Sequence, residues 1–205
     1  MKLRNPEHEI NVVEQNKPHN TFGWGIVFSD QTLESLQAND PESAETIRQS
    51  FAYWDDIDVH IHGKVISSGG HGFIGIGHLR LLSILQERAT ELGIKQVFET
   101  QVETTEPFED YDLVVVSDGI NSKIRTQHEE HFQPDIELRR NKFIWLGTHR
   151  LFQAFTFIFI ETKDGWIWDQ SYRFARDLST FIVECEPETC NAHGFLFLSK
   201  EEALV

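Results

Sequence analysis

The chain has 205 residues, 40% of them hydrophobic and 25% charged, with 18 basic against 33 acidic side chains and a formal charge of −15. Those proportions belong to a folded chain of one to one and a half domains and exclude a disordered, collagen-like or disulfide-scaffold protein. No apolar run reaches the ~20 residues of a membrane span, the first nine residues lack the apolar stretch of a secretion signal, and the acidic excess argues against nucleic acid or a membrane surface as partner. The expectation is a cytoplasmic protein acting on small molecules.

In chain order, Ile10–Val13 is β-branched and follows Asn5-Pro6, which predicts a short buried strand ending at Glu14. Gly23-Trp24-Gly25 reads as a loop. Ser29-Asp30 caps a helix through Leu33 and Leu36 to about Asn39, and Pro41 opens a second helix, Glu42 to about Phe51, with Ala44, Ile47 and Phe51 at helical spacing. Val59 and Ile61 alternate with His60 and His62, then Gly63-Lys64 turns into Val65-Ile66, the pattern of a hairpin. Ser67 to Gly77 is glycine-rich and reads as a loop or close-packed turn before a helix whose apolar face is Leu81, Leu82, Leu85 and Ala89 and which Gly93 ends. Ile94–Glu99 is a strand. Asp112–Ser117 has the composition of the most deeply buried strand, with Asp118-Gly119 directly after it.

After about Arg140 the texture changes. Phe143–Gly147, Ala154–Glu161, Trp166–Phe174 and Thr180–Cys185 are aromatic, β-rich stretches separated by short turns such as Lys163-Asp164-Gly165. The reading is an α/β part over residues 1–140 and an antiparallel sheet over 141–205.

Cys185 and Cys190 match no metal or redox spacing and read as two ordinary thiols. The ten histidines are scattered, and neither His60/His62 nor His71/His78 has a neighbouring carboxylate or cysteine to complete a metal set, so no metal is expected.

A dinucleotide fold needs a strand, a G-x-G-x-x-G turn and a helix, then an acidic residue about 20 positions on that holds the adenosine ribose. Glu14 stands where that acidic residue belongs, but the 13 residues before it contain no glycine. Gly70-His71-Gly72 and Gly75-Ile76-Gly77 have the wrong spacing to replace the fingerprint.

Seven motifs occur together in order: Phe22–Asp30, Trp54–Val59, Ser68–Phe73, Ser117–Arg125, Phe132–Ile136, Trp145–Thr148 and Ser179–Glu184. Over nearly the whole chain this resembles the single-component FAD-dependent aromatic hydroxylases, in the salicylyl-CoA 5-hydroxylase and 2-aminobenzoyl-CoA monooxygenase branch. The resemblance implies an α/β fold, here an incomplete FAD-binding dinucleotide fold, with an antiparallel substrate sheet. It implies FAD as cofactor, NAD(P)H and O₂ as co-substrates, and an aromatic small molecule or aromatic acyl-CoA as substrate. The cofactor-side positions that it assigns are Glu14, His78, Asp118 and Gly119. His78 stands where relatives carry an arginine opening an R-x-x-L-x-x-x-L helix, and Arg80, two residues on, points elsewhere. Arg125 behind the Asp-Gly pair offers a fork to a phosphate or to Asp118. Phe143, Trp145, Phe155 and Phe157 form either a ring-binding sheet face or ordinary core.

The chain lacks the family's glycine fingerprint and its later flavin-contact motif. The expectation is therefore a fragment that does not hold FAD stoichiometrically, is inactive alone and self-associates through exposed strand edges. Two further readings stay open: a non-catalytic remnant serving as a binding module, and an NAD-linked oxidoreductase without oxygen chemistry, which the aromatic sheet disfavours.

Overall fold

The computed structural model describes residues 1–197; the end of the 141–205 stretch lies outside them. In chain order the elements are β1 (Asn11–Val13), β2 (Gly25–Ser29), α1 (Asp30–Asn39), α2 (Pro41–Arg48), β3 (Ala52–Trp54), β4 (Ile57–Ile61), β5 (Lys64–Ser68), β6 (Phe73–Gly77), α3 (His78–Glu91) and β7 (Lys95–Val97). They continue with α4 (Lys123–Gln127), α5 (Glu129–Phe132), β8 (Lys142–Thr148), β9 (Phe155–Thr162), β10 (Gly165–Arg173), β11 (Ser179–Cys185) and α6 (Pro187–Ala192). The chain forms two compact units, one from residues 1–18 and 93–139, the other from 19–92 and 140 onward.

In the first unit β1 pairs in parallel with β7, with Val12 opposite Gln96. This strand is less buried than its composition predicts, with Val12 at 44% exposure. The larger departure is Asp112–Ser117, which is not a strand. Leu113, Val114, Val115 and Val116 are all exposed, because no described strand runs beside this segment to accept its backbone hydrogen bonds. A run apolar on both faces is fit for the middle of a sheet, and here it has no ladder to join.

In the second unit α1 begins at Asp30 as predicted, although the Ser29 side chain makes no capping hydrogen bond. Asp40 ends α1 and begins α2: its carboxylate accepts from the Ser43 hydroxyl at 2.7 Å, and Pro41 takes the first position. Arg88 of α3 reaches the same carboxylate, Nε to Oδ2 at 3.1 Å, and also Glu42 and Glu91. Burial alone would raise the Asp40 carboxyl, but hydrogen bonds from Arg88 and Ser43 and the guanidinium charge outweigh it and leave it below the usual range. Helix α2 stops at Arg48 rather than Phe51; the Ser50 N–H turns back to Ile47 and the chain enters β3. On α3 it is Ile84, with Leu81, that enters the core beside Leu33, Ala44, Ile47, Ile74 and Ile76, while Leu85 is exposed.

The glycine-rich stretch is not a loop throughout. Phe73–Gly77 is β6, the central strand of a three-stranded antiparallel sheet in the order β2-β6-β3. Its glycines let neighbours approach: a Cβ on Gly75 would stand 2.3 Å from the Arg173 carbonyl oxygen and 2.6 Å from the Trp54 ring. Gly25, predicted as loop, likewise begins β2.

The larger sheet has six strands in the order β5-β4-β9-β10-β11-β8. The four late stretches form its antiparallel body as predicted, and the β4–β5 hairpin extends it through a parallel pairing of β4 with β9. Residues before 140 thus contribute two of its strands. At the end of β11, Cys185 is joined to Cys190 in α6, correcting the expectation of two free thiols. With α6 packed back beside β10, the two Cα atoms stand 6.1 Å apart, within bridging distance. No described helix is long and apolar enough to cross a membrane.

Candidate functional site

The predicted cofactor-side residues fall in both units. Glu14 follows β1, its backbone N–H continuing the pairing to the Val97 carbonyl at 2.9 Å. Its carboxylate oxygen Oε1 accepts from both the backbone and the side-chain N–H of Asn16, each at 2.7 Å, which fixes the carboxylate against its own turn.

Asp118 and Gly119 lie in the exposed loop that leads to α4. Gly119 has φ +89°, a conformation that a side chain would strain, and a Cβ there would meet nothing within 4 Å. Ser122 caps α4 by accepting from the Arg125 N–H at 3.0 Å. The Arg125 guanidinium folds back on the loop and donates to the carbonyls of Gly119 and Ile120, rather than forking onto Asp118. Its Nε is buried without a partner. Val116, Asp118, Gly119, Ser122, Arg125 and Phe132 line an open cavity of about 310 Å³. A buried N–H donor beside a glycine that gives room to an incoming group fits an oxygen-rich cofactor edge. Among the described residues no hydrogen bond or ion pair joins Glu14 to Asp118 or Arg125.

His78, in the other unit, opens α3. Its Nδ1 lies 2.7 Å from the Phe22 carbonyl oxygen, so Nδ1 carries the proton and donates. The ring also meets Phe22 edge-on. Arg80 does point elsewhere, donating from Nε to the Ser50 hydroxyl at 3.2 Å. Among the described residues no cluster of three or more His, Cys, Asp or Glu could hold a metal.

Strand register organises the aromatic residues. One rung across the large sheet is Val59, Phe157, Gln170, Ile182 and Trp145; the next is Ile61, Phe159, Trp168, Glu184 and Phe143. Directly paired residues share a face and alternate residues return to it. Phe143, Trp145, Phe155 and Phe157 therefore lie on one face, together with Phe159 and Trp168. At one end that face is covered: Phe155 and Tyr172 pack on Trp54 and Phe73. Trp145 is set by a reciprocal fit, in which a Cβ on Gly23 would strike its ring at 2.6 Å and one on Gly147 would strike Trp24 at 2.7 Å. Trp24 Nε1 also donates to the Trp145 carbonyl at 3.3 Å. Farther along, Phe157, Phe159, Trp168 and Ile182 are half-buried and Phe143 is open. Among the polar residues on this face, the sequence reading did not single out Gln170 and Glu184. The signal was present in the hairpin: pairing Arg173 with Ser179 sets Trp168 opposite Glu184.

No protein-family profile matches the chain. It is 40% identical over 189 residues to a salicyloyl-CoA 5-hydroxylase of a Streptomyces species, a match covering 92% of this chain and 37% of that protein. The chain is a relative of aryl monooxygenases of the salicyloyl-CoA 5-hydroxylase type. A second relative, the 3-hydroxy-4-methyl-anthranilyl-[aryl-carrier protein] 5-monooxygenase of Streptosporangium sibiricum, is 29% identical over 178 residues, covering 87% of this chain and 50% of its own length. Pseudomonas aeruginosa PqsL, described as a probable FAD-dependent monooxygenase, superposes with a TM-score of 0.69 at 17% identity, over 98% of this chain and 60% of its own; at that identity the likeness is one of fold. The chain spans half or less of the length of these two curated relatives.

Proposed function

We propose that the chain takes part in the FAD- and NAD(P)H-dependent hydroxylation of an aromatic ring carried as an acyl thioester. The observation that carries this reading is the aromatic sheet face in a chain 40% identical to a salicyloyl-CoA 5-hydroxylase. In the proposed division of labour, residues 1–140 supply the cofactor side and residues 141–205 the substrate sheet, which the Ile57–Ser68 hairpin widens.

FAD, when bound and reduced by NAD(P)H, supplies the activation of O₂. The chain supplies position and dryness. Gly119 leaves room for the cofactor edge, the unpartnered Nε–H of Arg125 offers a hydrogen bond, and Glu14 takes the ribose hydroxyls. His78, the remaining cofactor-side position, opens α3 with its Nδ1 proton engaged by the Phe22 carbonyl. Half-buried Phe157, Phe159 and Trp168 hold a planar ring and keep water from it. The proposed setting is the cytoplasm, with exposed strand edges promoting self-association.

The test is a chimera in which this chain replaces the matching segment of the Streptomyces relative. The expected result is stoichiometric FAD and NAD(P)H-dependent hydroxylation of salicyloyl-CoA or 2-aminobenzoyl-CoA. Gly119→Val in the chimera is expected to lose FAD with the fold kept. A flavin-loaded chimera that hydroxylates only free aromatic acids or indoles would refute the thioester assignment. A folded chimera with no flavin would refute the cofactor side and favour a non-catalytic binding role.

A further inference from the structure

The open part of the aromatic face carries Lys64 and Glu161 toward the β5 and turn edges, and Glu184 between two of its aromatic rings. Glu184 lies on β11 directly opposite Trp168 on β10, with Phe143 opposite it on the other side. Its carboxylate is held at both oxygens. Trp168 Nε1 donates to Oε2 at 3.2 Å, and Asn141 Nδ2 donates to Oε1 at 2.9 Å. A carboxylate offers about four lone-pair directions, so two donors fix its orientation and leave each oxygen able to accept once more. Gln170 sits one rung away on the neighbouring strand, in a diagonal position about 7–8 Å off. Around these two groups the face is Phe157, Phe159, Ile182 and Trp145, none of which offers an acceptor side chain.

A held carboxylate at the margin of an aromatic platform has a definite selectivity. It lowers the energy of a ring that brings an N–H or O–H to its edge and disfavours one that brings only a lone pair, which would face a charged acceptor. The Trp168 ring both donates to the carboxylate and belongs to the platform, so ring contact and edge contact are fixed relative to each other.

We propose that Glu184, oriented by Trp168 and Asn141, is the specificity-determining residue that reads a hydrogen-bond donor, an amino or hydroxyl group, on the substrate's aromatic ring. This rests on the proposal above that the aromatic face receives the ring. It adds which group on the ring is read and by which residue. Glu184 acts here as an acceptor, and no proton transfer is assigned to it.

The experiment uses the full chain and three neutral probes, 2-aminobenzamide, 2-(dimethylamino)benzamide and benzamide. Binding is followed by the Trp168 indole N–H resonance, identified by its absence in Trp168→Phe. The wild-type chain is expected to bind 2-aminobenzamide about tenfold more tightly than either other amide, the scale of one hydrogen bond to a charged acceptor. In Glu184→Gln the Trp168 and Asn141 donors compete for a single amide oxygen, and the preference is expected to fall below about threefold with benzamide affinity unchanged. Glu184→Ala is expected to abolish the preference, and melting curves of both variants report folding. If the amides bind but the preference is absent, or survives in both Glu184 variants, the role of Glu184 is overturned while the aromatic face stands. If none of the amides moves the Trp168 resonance, the face does not take the ring, and both proposals fall.

Discussion

Replacing Asp169 by asparagine is expected to stabilise the chain at neutral pH. Asp169 lies in mid-strand on β10, on the face opposite the aromatic platform, between Ile158 and Val183. It is 5% exposed, its Oδ2 accepts from the Ser171 hydroxyl at 2.7 Å, and its Oδ1 has no partner. Burial pushes the carboxyl up from the ordinary 3.8 to about 6, with the Ser171 hydroxyl and the backbone N–H groups of Ile182 and Gln170 holding it back in part. The direction of the linkage follows from which state ionises first. Below about pH 3.8 the carboxyl is neutral in both states and costs nothing. Between 3.8 and about 6 the unfolded chain ionises while the folded one does not, and stability falls; above about 6 the penalty is constant. A displacement of about two pH units corresponds to about 3 kcal/mol. The asparagine side chain has no such penalty but buries an amide N–H without an acceptor, which costs about 1 kcal/mol. The variant is therefore expected to be about 2 kcal/mol more stable than the parent at pH 7.5 and no more stable near pH 4. Urea unfolding of both proteins across that range measures the difference, in which all other titrations cancel. A stability difference that does not change with pH would refute the reasoning, because it would mean that Asp169 ionises alike in the folded and unfolded chain.

Four other substitutions test particular contacts. Gly75→Ala brings a methyl to within 2.3 Å of the Arg173 carbonyl oxygen and is expected to cost about 2–3 kcal/mol in a thermal melt; an unchanged midpoint would contradict that approach. Tyr172→Phe removes the buried hydroxyl that donates to the Gly25 carbonyl at 2.7 Å, a loss of about 1–1.5 kcal/mol expected in urea with the slope unchanged. Replacing Cys185 and Cys190 together by alanine opens a short covalent loop and is expected to cost about 2 kcal/mol, and thiol titration of the folded parent should find neither cysteine reactive before reduction. Asp40→Ala removes the cap of α2 and the partner of Arg88, about 2 kcal/mol at neutral pH. Since the Asp40 carboxyl is held low, that loss should fade as pH falls through its folded value.

Local chemistry that acts within a few residues was legible in the sequence. Asp40-Pro41 marks a helix junction, Gly93 a helix end, and Gly63 and Lys163-Asp164-Gly165 hairpin turns, the first one residue earlier than the predicted Gly63-Lys64, because each sets backbone angles without help from distant chain. The aromatic stretches could be recognised as strands, and their shared face followed once the register was known. What depends on a distant partner was not legible. Phe73–Gly77 reads as a loop because glycine carries no strand preference; it is a strand because β2 and β3 flank it. Asp112–Ser117 fails in the opposite sense, with strand composition and no neighbour. Glu184 was overlooked because its significance depends on Trp168 sixteen residues earlier and Asn141 forty-three residues earlier. The disulfide was missed for the same reason, since the spacing of two cysteines does not reveal that a helix will fold back between them.

The parallel joint between β4 and β9 has a consequence for synthesis. Its first paired residues, Ile57 and Phe155, are about one hundred positions apart, and among the described residues only β9 links the early hairpin to the rest of the large sheet. At about 5–20 residues per second, the hairpin leaves the ribosome roughly 5–20 s before the strand that receives it exists. Throughout that interval the open edge of β4 has no ladder partner, and Val65 and Ile66 of β5 remain exposed even in the finished fold. The newborn chain thus passes through a stage in which an apolar hairpin is available to any extended neighbour, including the same hairpin on the next chain of a polysome. Slower translation lengthens that stage and should lower the soluble yield, with no change in the stability of the chains that do fold.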